Sequence, residues 1–303
     1  MTDQLDNPSS YLIPLNDRAF ILTQGDDVRD FLQNLISNDI DKAEKDGLGF
    51  TTLLSPQGKI AYEFFLLPAR DGFIIDCHTD FLETLLKRLK LYKLRAKVSL
   101  TDVSDEWGVY ADIASKFGGH DDIISLLDPR LNTLGTRHYA TKNILEDAFS
   151  GQCLNELSTY HAIELLNGVP ALGVTFQPEK MFILDVNYDA LGGVCYKKGC
   201  FVGQEVTSRM KRKGEIRKRT MIVHSDKILE ESADILSGDT KIGTVMCSAM
   251  SSNDICSNTK YASQYASQYA SLALIRLDRL ETADQSALLS GEQKIMITRP
   301  NYL

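Results

Sequence analysis

The sequence lacks the features that mark membrane and exported proteins. No apolar run reaches the roughly 18 residues that a helix needs to cross a bilayer. The first ten residues, MTDQLDNPSS, are polar and acidic, which is typical neither of a secretory signal nor of an arginine-rich transit peptide. We therefore expect a soluble protein with a cytoplasmic location and no membrane partner.

The sequence also lacks the common motifs for zinc and for nucleotides. Its 6 cysteines form no Cys-x-x-Cys pair, and its 5 histidines are dispersed along the chain. A Gly-x-Gly-x-x-Gly loop is missing as well. Without an export signal we expect reduced thiols. Cys195 and Cys200 lie five residues apart, which leaves a disulfide or a shared metal open as an alternative.

What the sequence contains predicts a mixed α+β fold. Apolar strands such as RAFILT and KIAYEFFLLP alternate with amphipathic helices such as FLETLLKRLKLYKL, and DDIISLL is typical of a further short helix. Because hairpins occur as well as crossovers, α+β is favoured over a doubly wound sheet. After about residue 215 only short β-rich runs follow, which indicates a small barrel or sandwich. The 303 residues therefore divide into a first α+β subdomain at 1–105, a second at 106–215 and a C-terminal β-barrel at 216–303.

Two conspicuous features favour structural interpretations. The repeat YASQYASQYAS at 261–271 has a period of four, which matches neither a strand nor a helix well, and we interpret it as an expanded hairpin loop. Trp107 is the single tryptophan and can either stack on an aromatic ligand or pack in the core. Of these two roles the core role is favoured.

One cysteine lies in a glycine-flanked loop beside positive charge. The stretch KKGCFVGQE spans residues 197–205 and places Cys200 after two lysines and a glycine. Nearby cations and backbone N–H groups stabilise a thiolate, and glycines let the backbone turn and expose those groups. Gln204 and Glu205 add hydrogen-bonding groups. The stretch therefore predicts either a loop that presents Cys200 to a bound polar heterocycle or a structural loop whose cysteine packs inward.

The longer stretch NYDALGGVCYKKGCFVGQEVTSRM resembles the signature of the YgfZ family of folate-binding proteins. The centre of that signature is Lys-Gly-Cys-Tyr/Phe-x-Gly-Gln-Glu, followed closely by Arg. The matching positions here are Lys198, Gly199, Cys200, Phe201, Gly203, Gln204, Glu205 and Arg209. Weaker resemblances in FLQNLISNDI, LSPQGKIAYEFFLL, LYKLRAKV, KIGTVMCSA and SLALIRL extend the likeness over nearly the whole chain.

This resemblance implies a fold, a cofactor and a role. The family is related to the aminomethyltransferase, or T-protein, of the glycine cleavage system. It implies a ring of three subdomains around a central pocket for tetrahydrofolate or a one-carbon derivative. It also implies maturation or repair of iron–sulfur proteins, among them tRNA-thiolating enzymes. The implied partners are folate and iron–sulfur client or assembly proteins, while direct tRNA binding and a folate-dependent one-carbon transferase activity are left open.

The resemblance also assigns roles to residues. It implies Cys200 as the key thiol and Lys198 as its catalytic partner. The pterin-reading carboxylate of T-proteins falls near Asp185 or Asn187, either of which can instead be an ordinary turn residue. The remaining implied folate-binding residues are Gly199, Gln204, Glu205, Arg209 and Arg95.

The sequence departs from the T-protein pattern at one place. T-proteins carry an Asp-Asp pair on a strand of the first subdomain, and one Asp supports methylene transfer. Tyr62 and Glu63 occupy the matching positions here. The extra methylene of Glu63 displaces its carboxylate by roughly an ångström, which is enough to reduce catalysis strongly. An aminomethyltransferase of the glycine cleavage type is therefore the second interpretation, and a non-catalytic scaffold that binds proteins through a folate fold is the third.

A basic strip follows the motif. Between residues 197 and 219 nine lysines and arginines stand against two glutamates, in a chain whose net charge is −8. Three interpretations remain open: a solvated surface, a rim that attracts the glutamate tail of folate, or a site for an acidic protein or tRNA. The residues expected to guide a folate tail are Lys211, Arg212, Lys213, Arg217, Lys218 and Arg219.

Overall fold

Three β-sheets organise the part of the chain that the structure describes. A computed structural model of the protein describes residues 12–117, 119–152, 154–212, 216–247, 250–251 and 269–303. Most of the tetrapeptide repeat lies outside these ranges, as do Cys153, Cys256 and Lys213, so the hairpin-loop interpretation of the repeat stays a prediction.

The secondary-structure elements have the following bounds in chain order. The strands are β1 (Leu12–Pro14), β2 (Arg18–Gln24), β3 (Gly49–Leu54), β4 (Ile60–Ala69), β5 (Gly72–His78), β6 (Ser99–Asp102), β7 (Trp107–Asp112), β8 (Ile124–Leu127), β9 (Thr136–Thr141), β10 (Lys218–Ser225), β11 (Asp234–Ser237), β12 (Thr240–Val245), β13 (Met250–Ser251), β14 (Tyr269–Arg276), β15 (Leu288–Ser290) and β16 (Gln293–Thr298). The α-helices are α1 (Val28–Leu35), α2 (Ile40–Asp46), α3 (Leu82–Lys93), α4 (Lys142–Ala148), α5 (Leu157–Leu166), α6 (Gln204–Arg212) and α7 (Leu277–Leu280).

The first sheet is antiparallel and has the strand order β3-β4-β5-β2-β6. Helix α1 buries Val28, Phe31, Leu32 and Leu35, whose spacing puts them on one face, and these side chains join a core cluster with residues of the sheet. Successive residues of β4 point to opposite faces. Tyr62 therefore enters this core cluster, whereas Glu63 points to the other face of the sheet, toward the second sheet.

The second sheet has the strand order β1-β7-β9-β8. Its edge strand β1 precedes the whole first sheet in the chain and pairs with β7 through Ile13 and Ala111. The predicted helix at DDIISLL is wrong, because Ile124 pairs with Tyr139 in an antiparallel ladder between β8 and β9. A short apolar run fits a strand as well as a helix. Here the run forms a strand because it can pair with the backbone N–H and C=O groups of β9.

The third sheet closes into a six-stranded barrel. Its order β10-β16-β15-β11-β12-β14 returns to β10 through an additional pairing of β14 with β10, and β13 adds a short pairing to β14. The prediction of a C-terminal β-barrel in an α+β fold is confirmed. Closure satisfies the hydrogen-bonding groups that would otherwise stand open at two sheet edges.

A single core cluster connects the three sheets. It joins Phe65 of the first sheet, Tyr139 of the second and Met246 next to the barrel, and Trp107 packs against it partly buried. This position agrees with the core role that the sequence favoured for Trp107. The interior of the barrel forms a further core cluster around Val223, and the division of the chain into three subdomains stays a prediction.

Candidate functional site

A network of buried charges lies between the first two sheets. Asp76 of β5 accepts hydrogen bonds from Arg18 Nε at 2.6 Å, from Arg137 Nη2 at 2.8 Å and from Tyr139 OH at 2.7 Å. The side chains of Asp76 and Arg137 are 0% and 1% exposed. Buried ions of this kind are tolerated only when they are paired and hydrogen-bonded.

The same network continues through a second arginine. Arg130 donates to both carboxylate oxygens of Asp128, at 3.0 and 2.8 Å, and to Glu164 at 2.8 Å and Tyr160 at 2.9 Å. The cavity that remains beside these groups has a volume of about 20 Å³. It has room for roughly one water molecule and none for a pterin ring. These arginines therefore hold the two sheets together and are not available to a large ligand.

Glu63, at the position that the sequence resemblance matches to a T-protein aspartate, is part of this packed centre. It is 3% exposed, and its Oε2 accepts hydrogen bonds from the Leu172 N–H at 2.9 Å and from the Tyr188 hydroxyl. Burial raises the pKa of the Glu63 carboxyl to about 7, against the lowering effect of the Tyr188 hydrogen bond. The carboxyl thus faces protein groups that hold it in place.

The segment before Cys200 is fixed to the link between α1 and α2. Ser37 Oγ donates to the Gly193 carbonyl at 2.7 Å, and Asn38 Nδ2 donates to the Gly192 carbonyl at 2.7 Å. The Cys195 N–H donates to the Ser37 carbonyl at 3.0 Å. Since all of these donors and acceptors are partly or fully buried, the segment has one defined position against the first subdomain.

Lys198 fixes the motif itself. Its Nζ donates to three backbone carbonyls, of Gln33 at 2.6 Å, Ile36 at 2.8 Å and Asn38 at 2.8 Å. The residue is 8% exposed, and burial lowers the pKa of its ammonium group to about 8. An ammonium group has three donors, so none remains for a ligand. The catalytic role of Lys198 stays a prediction, and its contacts are those of a positioning residue.

A tight backbone contact explains the second glycine of the motif. Gly203 has φ +78°, and a Cβ there would lie 2.8 Å from the Ser55 carbonyl oxygen and 2.9 Å from Leu54 Cβ. Gly58 also has φ +78°, and a Cβ there would lie 2.8 Å from Val206 Cβ. The turn between β3 and β4 therefore packs directly on the start of α6, and only glycine fits at either side of the contact.

Cys200 points outward between two fixed neighbours. Lys198 and Phe201 are buried, whereas Gly199 and Cys200 are exposed, and a Cβ at Gly199 would meet nothing within 4 Å. Gln204 Nε2 donates to the Gly199 carbonyl at 3.4 Å and tightens the loop. The alternative of an inward-packed cysteine is therefore wrong. The loop holds a free, accessible thiol at the start of α6.

Asp185 lines a cavity of about 510 Å³ on one side of α6. The carboxylate accepts a hydrogen bond from the Phe182 N–H at 3.3 Å, and burial raises its pKa. The other lining residues are Phe182, Leu184, Met210, Ile216, Arg217 and Lys218. Apolar walls, one carboxyl group and two cations suit a flat heterocycle that carries carboxylates.

Asn187 has a structural place instead. It is fully buried at φ +62°, and its Nδ2 donates to the Thr220 carbonyl at 2.8 Å and to Tyr302 OH at 3.1 Å. Asparagine adopts this backbone region more readily than most residues. Asn187 therefore ties the loop before the motif to the barrel, and of the two pterin-reading candidates it is Asp185 that lines a cavity.

A second cavity, of about 460 Å³, follows another face of α6. It brings together three predicted folate-binding residues, Gln204, Glu205 and Arg209. The other two lining residues are Arg212, which was predicted only as a guide for the folate tail, and Ser208, which the sequence prediction missed although its position on α6 follows from helical spacing. Arg95 lines neither cavity and is exposed just after α3.

The basic strip divides into buried and exposed members. Arg219 is 7% exposed and donates to both carboxylate oxygens of Asp189, one of them at 3.0 Å, and to the Leu184 carbonyl at 3.1 Å. The prediction that Arg219 helps to guide a folate tail is wrong, because β10 carries the side chain into the interior, where it pairs with Asp189. The exposed cations of the strip among the described residues are Lys197, Arg209, Lys211, Arg212, Arg217 and Lys218.

Three further kinds of site can be checked over the described ranges. Cys77, Cys195, Cys200 and Cys247 are all free thiols. No group of three or more His, Cys, Asp or Glu side chains within these ranges is arranged to hold a metal ion. In the same part of the chain, no helix combines the length and the apolarity that a bilayer crossing requires.

The arrangement of the three sheets defines the class of fold. The structure superimposes on glycine cleavage system aminomethyltransferase T from Bartonella henselae with a TM-score of 0.69, covering 98% of this chain and 87% of that one. The two sequences are 10% identical, so the likeness concerns the fold. The predicted T-protein-like fold is confirmed.

Curated relatives narrow the comparison further. The chain is 31% identical over 218 residues to the iron–sulfur cluster assembly factor IBA57 homolog, mitochondrial, of Mycosarcoma maydis, which covers 67% of this chain and 54% of the relative. Its human counterpart is 27% identical over 227 residues, covering 68% and 64%. The relative in Dictyostelium discoideum is 27% identical over 270 residues, covering 76% and 66%. No protein-family model matches the chain.

These relatives limit and correct the sequence-based expectations. The chain spans about half to two thirds of the length of the curated relatives it matches, from 52% to 66% for the proteins of Neurospora crassa and Dictyostelium discoideum. They carry the name of an iron–sulfur cluster assembly factor and not that of the YgfZ family, so that likeness stays a resemblance. They are also mitochondrial by name, and the prediction of a cytoplasmic location is therefore wrong.

Proposed function

We propose that the protein is an iron–sulfur cluster assembly factor that binds tetrahydrofolate or a one-carbon derivative, with Cys200 as its key thiol. The relatives named as iron–sulfur cluster assembly factors support the role. The observation that carries the residue assignment is the exposed Cys200 thiol in a loop that Lys198 fixes through three carbonyls. Through its iron–sulfur clients the protein would support tRNA modification.

The cavities beside α6 support the folate part of the proposal. Asp185 can accept the donors at the edge of a pterin, and the apolar wall made by Phe182 and Met210 can contact its faces. Arg217 and Lys218 line the same cavity and would supply positive charge to the carboxylates of the ligand. Bound tetrahydrofolate would supply a one-carbon carrier next to the motif helix, while the protein residues bind and orient it.

The fold favours one second candidate, an aminomethyltransferase of the glycine cleavage type. Glu63 argues against it, since its carboxyl is buried and accepts hydrogen bonds from Tyr188 and Leu172. Purified protein should therefore release little ammonia from an aminomethylated lipoyl carrier with tetrahydrofolate. A rate like that of a genuine T-protein would promote this candidate over the first.

A Cys200→Ser variant tests the thiol. It should bind tetrahydrofolate in calorimetric titration as the wild type does, yet fail to restore iron–sulfur enzyme activity in cells lacking the protein. Cys195→Ser is the matched control, because Cys195 is half-buried and is fixed against Ser37 in the same segment. Full restoration by Cys200→Ser would remove the role of the thiol, and no binding of any folate form by the wild type would leave only the scaffold interpretation.

A further inference from the structure

Large apolar side chains stand exposed among cations at the end of α3. Leu91 is 67% exposed and Leu94 is 86% exposed. Lys90, Lys93 and Arg95 alternate with them in the sequence. We call these five residues the α3 end face. Leu91 and Leu94 are the two most exposed large apolar side chains among the described residues, and exposed apolar patches rimmed by polar groups mark interaction sites.

The backbone holds Leu94 in this position at a cost. The residue ends α3 with φ +47° and ψ −107°, a region in which side chains with a Cβ are disfavoured. Glycine is the usual residue at such a helix end. A leucine here is therefore unfavourable twice, through its backbone and through its exposure. Residues held in sparsely populated backbone regions cluster at functional sites.

The cations of the α3 end face have no acidic partner among the described residues. Their neighbours differ, because Lys87 pairs with Glu83 at 3.3 Å and Lys97 pairs with Asp26 at 3.2 Å. Over Leu82–Lys97 six cations stand against one carboxylate, while the whole chain carries a net charge of −8. The face is thus a local reversal of the charge of the protein, with its cations left free.

We propose that the α3 end face docks an acidic segment of a partner protein through two apolar side chains. Free cations complement carboxylates on the partner, and Leu91 and Leu94 gain by burial against apolar residues between those carboxylates. This surface goes beyond the proposed function, because none of its residues lines either cavity beside α6.

Nucleic acid and membrane fit the same face less well. A nucleic acid would stack bases on aromatic side chains, but Tyr92, the one aromatic residue here, is half-buried and hydrogen-bonded to Arg88. A membrane would require the whole apolar face of a helix, but Leu85 and Leu89 of α3 are buried in the protein. Two exposed leucines that alternate with cations suit an acidic peptide.

The test uses the full chain and a displayed library of short random peptides. Peptides selected on the wild type should be acidic and carry Leu, Ile or Phe at helical spacing. For one such peptide, Leu94→Gly and the double variant Lys90→Glu, Lys93→Glu should each weaken binding by about tenfold or more. Leu94→Gly should leave the denaturation midpoint unchanged or raise it, because glycine accepts a positive φ without strain.

Matched controls and rival ligands make the outcome decisive. Ile228→Ser removes another exposed apolar side chain, which is 61% exposed. The double variant Lys227→Glu, Lys294→Glu reverses two exposed cations elsewhere on the surface. Both variants should bind the selected peptide as the wild type does. The proposal would be overturned by selected peptides without acidic character, by peptide binding that Leu94→Gly leaves unchanged, or by stronger binding to phosphatidylserine vesicles or to tRNA. Folate titration of the same variants should match the wild type, so failure here is distinguishable from failure of the proposed function.

Discussion

The protein contains two clusters of positive charge that are arranged in opposite ways. Between the first two sheets, Arg18, Arg130 and Arg137 are buried, and each is paired with at least one carboxylate. At the start of β10, Arg217 and Lys218 are exposed beside a cavity and have no ion pair within the described ranges. The first cluster is saturated by its own partners, while the second can still meet a ligand.

The difference shows why charge alone does not locate a binding site. A buried guanidinium must find its partners on folding, because desolvation is otherwise too costly. An exposed cation is screened by water and salt and contributes little to folding. Arg219 illustrates the boundary, since it belongs to the basic strip in sequence but to the buried class through its contacts with Asp189.

The largest expected effect comes from breaking the buried cluster. Asp128→Asn removes a charge that Arg130 contacts at 3.0 and 2.8 Å and that Arg137 approaches at 3.5 Å. Leaving these guanidinium groups under-compensated should lower the free energy of unfolding by about 3–5 kcal/mol. Urea unfolding measures this, with exposed Asp239→Asn as the control that should change by less than about 0.5 kcal/mol.

The next effect is a pH dependence at Glu63 in the same buried region. Its pKa is 4.5 ordinarily and about 7 in the folded protein, so between these values the folded state holds a proton that the unfolded chain has lost. Stability from this group is therefore complete below about pH 4.5 and is lost as the pH rises through 7, by about 3 kcal/mol in all. Glu63→Gln should remove this part of the dependence in unfolding curves at pH 5 and 8. Identical pH dependence in the variant would contradict the assignment.

A third, smaller effect concerns the one buried cation of the motif. Lys198→Met leaves the carbonyls of Gln33, Ile36 and Asn38 without their donor and should destabilise the fold by about 2 kcal/mol. Lys197→Met is the matched control next to it, and because Lys197 is exposed the free energy of unfolding should hardly change. Equal effects of the two substitutions would show that Lys198 is not the residue that fixes the loop.

The smallest effect belongs to the exposed cluster. If it guides a polyglutamate tail, the wild type should bind tetrahydrofolate with five glutamates more tightly than with one, and less so as salt screens charges beyond about 8–10 Å at roughly 0.1–0.15 M. Replacing Arg217 and Lys218 by alanine should reduce that preference by roughly three- to tenfold, since each exposed pair contributes about 0.2–1 kcal/mol. Calorimetric titration of both ligands at two salt concentrations gives the ratio. Equal wild-type affinities for the two tails would leave the strip as a surface or a protein site.

Much of the fold follows from local patterns. The hairpin of β3 and β4 is predicted by two apolar runs around a Ser-Pro-Gln-Gly turn, and the short β-rich runs after residue 215 do form a barrel. Such patterns survive in the sequence because strand period and turn residues act over a few positions. The run at Ile124–Leu127 has no such signal, and its pairing with β9 made it a strand.

The sequence by itself determined the motif, the glycine-flanked loop that carries Cys200 and the basic character of the strip around it. Only the tertiary structure decided which of those residues face inward. Lys198 meets Gln33, 165 positions earlier in the chain, and Gly203 meets the turn at Ser55. Burial and long-range partners decide whether a charge is structural or available, and these depend on distances that no short stretch of sequence encodes.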